Sequence, residues 1–112
     1  MTSDTFITNL TEGIADIPAG SIVSRTLLGN ADVKTVLFGF APGQELSEHT
    51  ASLPAIVHIL SGEAILKLGE TAHTVTAGAW AYMPAGLSHA VTAQTEVCML
   101  LLLLRGGAGA NG

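Results

Sequence analysis

Residues Gly78 to His89 read Gly-Ala-Trp-Ala-Tyr-Met-Pro-Ala-Gly-Leu-Ser-His, and the reading of this stretch decides the fold. A glycine opens a strand-length run of five residues, and Pro84-Ala85-Gly86 then turns the chain sharply, because proline fixes φ while glycine enters regions closed to other residues. His89 stands at the start of a new apolar run, so the turn dictates where its imidazole points. Upstream lies a related arrangement: Gly43 is followed by five residues and then His49, and Gly62 closes a strand thirteen residues later.

Outward from these stretches the pattern is one of short strands. Phe6 to Ile17 is mixed in character, with Gly13 and Pro18 as breakers, and reads as an irregular or short-strand lead-in. Ser21 to Leu28 and Val33 to Phe40 are strands joined by the hairpin-type connection Gly29-Asn30-Ala31-Asp32, and they are predicted to pair antiparallel. Gln44 to Thr50 carries Glu45, Ser47, Glu48 and His49. Pro54 to Leu60 is apolar on both faces apart from His58, which puts it mid-sandwich or at a subunit contact. Glu63 to Leu68 alternates, with Glu63, Ile65 and Lys67 on the wet side. Strands over Thr71 to Thr76, Ala79 to Met83, Ala90 to Ala93 and Thr95 to Leu104 follow, and Gly106 to Gly112 has no capacity to pack. Eight or so strands without a sustained helical period predict an all-β sandwich or barrel. Periodicity alone does not separate a jelly roll from other sandwiches.

Composition narrows the function. With 112 residues the chain makes one domain that buries roughly two thirds of its unfolded surface. Hydrophobic residues make up 48% and charged residues 12%, apolar enough that a partner subunit is expected over some outward face, as in a homodimer. The net charge is −5, and Arg25, Lys34, Lys67 and Arg105 are scattered singly, so there is no basic stripe for nucleic acid. No run approaches the ~20 apolar residues of a membrane span, and the start Met-Thr-Ser-Asp-Thr lacks the basic and apolar regions of a signal peptide; a cytoplasmic location is the expectation. Cys98, the single cysteine, sits in an apolar run and reads as a buried inert thiol.

Glycine, five residues, Pro-x-Gly, two residues, histidine resembles the second conserved motif of the cupin superfamily, whose small jelly-roll barrels usually hold a metal between two sheets. The segment from Gly43 through His49 to Gly62 resembles the first motif, and together the likeness spans roughly residues 36 to 104. It implies a single-domain cupin barrel over residues 20–105, a lead-in over 1–19 of the kind cupins often use at the subunit contact, and a flexible tail over 106–112. The family's first motif usually supplies His-x-His and a glutamate, because side chains two apart on a strand reach one ion. Here the second histidine position is Ala51, the glutamate position is Ala55, and the asparagine often found four residues after the second-motif histidine is Ala93.

The resemblance therefore implies a divalent transition metal (zinc, nickel, iron or copper) held by His49 and His89, with water, substrate or a third side chain completing the shell. His58 is the candidate third ligand; on a regular strand it points away from the metal, and a bulge near Pro54 would reverse that. His73 reads as solvated. Glu48 and Glu45 read as solvated carboxylates, with Glu48 placed to orient His49 as an acceptor. Trp80 and Tyr82 share a strand face as core or pocket wall, Tyr82 being the one placed for a polar or catalytic contact. The implied function is metal-assisted acid/base chemistry on a small organic molecule: proton transfer, isomerisation or elimination rather than oxygen activation. Two alternatives stand beside it, a metal-free acid/base pair of His49 and His89, and a non-enzymatic small-ligand binding or sensor module.

Overall fold

Nine strands make up the regular structure of residues 3–106, the part of the chain described by the computed structural model: β1 (Ile22–Gly29), β2 (Val33–Phe40), β3 (Glu45–His49), β4 (Ala55–Ser61), β5 (Glu63–Leu68), β6 (Thr71–Thr76), β7 (Trp80–Met83), β8 (His89–Ala93) and β9 (Val97–Leu104). β2, β5 and β6 have the ends read from the sequence, and the tail beyond Gly106 lies outside the described residues. The lead-in is irregular apart from one 3₁₀ turn, Leu10–Gly13, capped by the Asn9 side chain.

Two antiparallel sheets face one another. One has the order β1-β2-β9-β4-β7 and the other β3-β8-β5-β6, the crossing connectivity of a jelly roll. The expected hairpin joins β1 to β2; its turn is set by Asn30, whose side-chain oxygen accepts from the backbone amides of Asp32 and Val33. Alternation then sorts each strand. Phe40, Val57, Ile59, Ala64, Leu66, Met83, Val91, Ala93, Val97 and Met99 point between the sheets and form the main core. No polar or charged residue among the described ones is buried, so the barrel interior is held by apolar contact alone.

The five-stranded sheet is apolar on its outer face as well. Leu37, Cys98 and Leu100 form a second cluster there, with Leu10, Ile14 and Leu27 packed over part of it. Cys98 is buried as expected, and burial pushes its thiol pKa up, so the thiolate is disfavoured and the side chain behaves as a small hydrophobe.

The β4–β5 corner depends on Gly62. Its φ is +88°, and a Cβ at that position would run into the carbonyl oxygen of Glu96. Gly62→Ala is expected to cost roughly 3 kcal/mol, from about 1–3 kcal/mol of left-handed backbone strain with the contact added, and to lower the melting temperature by roughly 10 °C or more. Gly29→Ala, which has open space and no positive φ, should change it little; thermal unfolding followed by circular dichroism makes the comparison.

Candidate functional site

Three connections meet at one end of the barrel: residues 50–54 between β3 and β4, the Gly69-Glu70 turn between β5 and β6, and residues 84–88 between β7 and β8. They are tied together by backbone. The amide of Gly86 donates to the carbonyl of Ala51 at 2.9 Å, and that of Gly69 donates to the carbonyl of Ser88 at 2.7 Å. Gly86 makes the first tie available because its φ of +84° closes the turn begun by Pro84, whose carbonyl accepts from the Leu87 amide. The sharp turn read from the sequence is thus fixed in space against the strand that carries the first histidine.

His49 and His89 are cross-strand partners, the last residue of β3 opposite the first of β8. A bulge produces this pairing. Leu46 opposes Val91 and His49 opposes His89, so three residue steps on β3 match two on β8. Without the extra residue, alternation from Leu46 would have turned Glu48 inward and His49 outward. With it, both imidazoles stand on the inner face, ring centroids 4.3 Å apart at an interplanar angle of 63°. His49 is exposed and His89 half-buried, so the pair lies at the mouth of the barrel and not in its sealed core.

Both rings are oriented in the same way. Nδ1 of His49 bonds the carbonyl of Ser47 at 2.7 Å, and Nδ1 of His89 bonds the carbonyl of Leu87 at 2.9 Å. A carbonyl oxygen only accepts, so each Nδ1 carries a proton, and in each neutral ring Nε2 is the atom left with a lone pair. These two carbonyls take the role that the sequence reading offered to Glu48. Nothing in a side-chain pattern announces a backbone acceptor two residues upstream, which is why they escape sequence reading.

Glu48 instead projects to the outer face, where it meets Lys67 at 3.3 Å. Ser88 and then Lys67 hold its carboxyl below the usual range. Its side chain is 50% exposed, and such a pair fixes loop geometry more than it adds stability.

The family model of the Cupin domain matches residues 36–104. This chain is a cupin. A conserved protein of unknown function from Streptococcus pyogenes is 31% identical over 96% of this chain and 93% of its own, with a TM-score of 0.82. A cupin superfamily protein from Desulfitobacterium hafniense is 24% identical over 80% and 83%, at 0.76. A predicted oxalate decarboxylase from Thermotoga maritima is 20% identical over 76% and 81%, at 0.70, a likeness of fold. No curated protein matches the chain.

Against the cupin pattern, the two alanines occupy the places where further ligands would project. Ala55 is 3% exposed and faces inward beside Met83 on β7 and Leu103 on β9. Ala51 contributes its carbonyl to the tie with Gly86. Among the described residues no three His, Cys, Asp or Glu side chains cluster as a metal would need. The donor set that is present, two neutral imidazoles with free Nε2 atoms on one face, suits a borderline transition metal with the rest of its shell left to water or ligand.

His58 and Tyr82 do not join this pair. β4 runs in regular register from Ala55 to His58 against β7, with no bulge there to reverse parity, so His58 shares the outer face with Ile56 and Leu60. Tyr82 opposes Ile56 and Trp80 opposes His58, which puts both aromatic residues on that same outer face, 50% and 62% exposed. They share a face as read, but it is neither core nor wall of the histidine site. His73 is exposed, as expected of it.

Nitrogen-15 correlation spectra of the neutral metal-free protein should show His49 and His89 as the Nδ1–H tautomer. An Nε2–H signature for either ring would contradict the carbonyl bonds assigned to it.

Proposed function

We propose that this cupin binds a divalent transition metal through Nε2 of His49 and His89 and performs acid/base chemistry on a small organic molecule at the mouth of its barrel. One observation carries the reading: a β-bulge brings two imidazoles side by side on one face, and two backbone carbonyls engage their Nδ1 atoms and leave Nε2 of each ring for an ion. A strand spends a bulge where a side chain must be re-aimed, and here the re-aimed residue is a histidine. A bound ion would supply Lewis acidity toward a substrate oxygen or a water of lowered pKa. The chain's own part is to hold the tautomer, so that Nε2 is always the atom offered, and to keep His49 at the solvent side, where it exchanges protons with water. The apolar inner wall from Ala55, Met83 and Leu103 favours the carbon skeleton of a substrate over water.

Two protein ligands leave the reading open to one rival that the same geometry serves. With the rings 4.3 Å apart and both Nε2 atoms free, His49 and His89 also form an acid/base pair that needs no ion. Calorimetric titration with zinc and with nickel separates the two. His49→Ala and His89→Ala should each lower metal affinity by more than the roughly 10–100-fold that follows loss of a mere orienting partner. Unchanged affinity in both variants would remove the metal site, and turnover that survives exhaustive chelation would assign the chemistry to the bare pair.

We propose further that the protein works as a homodimer joined through the outer face of its five-stranded sheet. Around His58, the residues Ile56, Leu60, Trp80, Tyr82 and Leu102 present a mainly apolar surface without a carboxylate, lysine or arginine, beside the buried cluster of Leu37, Cys98 and Leu100 on which the lead-in packs. Exposed aromatic residues in a charge-free patch are the composition of an interface centre. Sedimentation should give twice the chain mass for the wild type and the chain mass for Tyr82→Asp.

A further inference from the structure

β6 and β7 are the edge strands that face each other across the open side of the barrel, β6 closing the four-stranded sheet and β7 the five-stranded one. Between them lies a cavity of about 250 Å³ whose floor is Val57, Ile59 and Leu66 and whose rim includes His73 and Trp80. Neither His49 nor His89 lines it. Leu68, which lines the cavity, is also the β5 register partner of His89.

The cavity has two parts of different chemistry. The floor is fully apolar, from residues no more than 3% exposed, and Val75, Ala79 and Ala81 continue it upward. His73 faces it because it opposes Leu66, an inward residue, across the β5–β6 ladder. It is the lone ionisable side chain of the lining, which holds no carboxylate, lysine or arginine. An imidazole over an apolar slot, without an acidic neighbour in the same wall, matches an acceptor group attached to a hydrocarbon body. The volume, about 250 Å³, falls short of the roughly 300–1,000 Å³ of pockets for drug-sized ligands, so the body is a single ring or a short branched chain.

We infer that the β6–β7 seam is a second small-ligand site, separate from the histidine pair, taking a compact monocarboxylate whose ring or alkyl body enters the slot while His73 receives its carboxylate. The site goes beyond the acid/base reading and does not depend on it. Small apolar acids, and not neutral analogues of the same shape, are its ligands.

Trp80 is the single tryptophan of the chain and borders the seam from the outer face of β7, so binding is followed by its emission and, independently of that ring, by calorimetry. The full chain is titrated with benzoate, and in parallel with benzyl alcohol. Benzoate should give a saturable change in Trp80 emission and benzyl alcohol a weaker one. His73→Ala, a change at an exposed position that leaves the core intact, should weaken benzoate about tenfold, as loss of a hydrogen bond to a charged group does. The His49→Ala/His89→Ala double variant should bind benzoate as the wild type does while losing metal. No saturable change with benzoate, equal binding of benzyl alcohol, or affinity unchanged in His73→Ala would each overturn the proposal. Loss of benzoate binding in the double variant would also overturn it, because the carboxylate would then sit on the histidine pair. Metal binding by the wild type is measured separately, so failure of the seam site and failure of the metal site are told apart.

Discussion

The hydrogen bond from the Gly86 amide to the Ala51 carbonyl joins the two segments of chain that carry His49 and His89. It spans thirty-five positions of sequence between residues 51 and 86 at 2.9 Å, and both its ends are backbone, so no side-chain identity is needed to make it. What it requires is conformation: a proline to begin the turn and a glycine able to adopt φ of +84° to finish it. Once the turn is pinned, β8 starts at a set height on β3, and His89 falls opposite His49 and not opposite Glu48 or Thr50. The carbonyls that orient the rings, from Ser47 and Leu87, each sit two residues before the histidine they hold, so local chain geometry finishes what the long-range tie begins.

A wholly apolar interior explains why this arrangement sits at the mouth. No polar residue among the described ones is buried, and a charged imidazolium placed deeper would lose its hydration without a partner to replace it. At the rim, His89 half-buried and His49 exposed keep access to water for proton exchange while their Nδ1 protons are spoken for. The alanine at position 55 belongs to the same physics. Ala55 points between the sheets beside Met83 and Leu103, where a carboxylate without an ion beside it would be costly. Alanine is small and apolar enough to pack there, 3% exposed.

The strand pattern and the two histidines could be read from the sequence because each rests on local rules. Alternation in Glu63 to Leu68 gives the parity of β5 and its wet side, and the proline and glycine turn of residues 84–86 places His89 whatever lies around it. Alternation, however, gives parity without sign. In β4, β7 and β9 both faces are apolar, since the outer face of the five-stranded sheet carries its own leucine cluster, so nothing in the alternation of Trp80 and Tyr82 says which side looks inward. The same absence of contrast left His58 dependent on whether a bulge intervened. A bulge does occur beside the site, but in β3, where Leu-Ser-Glu-His carries no glycine to mark it.

That leucine-rich outer face and the open β6–β7 seam follow from one asymmetry. The four-stranded sheet turns a polar face outward, with Glu45, Glu48 and Lys67 on it, and needs nothing over it. The five-stranded sheet is longer by a strand and apolar on both sides, so its hydrophobic contribution does not end at the barrel wall. Its last strand, β7, carries Trp80 and Tyr82 outward while Ala81 and Met83 face in. Large side chains on one side and, at Ala79 and Ala81, small ones on the other leave the inner edge underfilled just where β6 offers His73 and Thr74. The seam is thus the volume that β7 gives up inside by spending its bulk outside. Filling it from within, with a larger residue at position 81, would trade the cavity for packing, because Ala81 faces in while its neighbours Trp80 and Tyr82 face out.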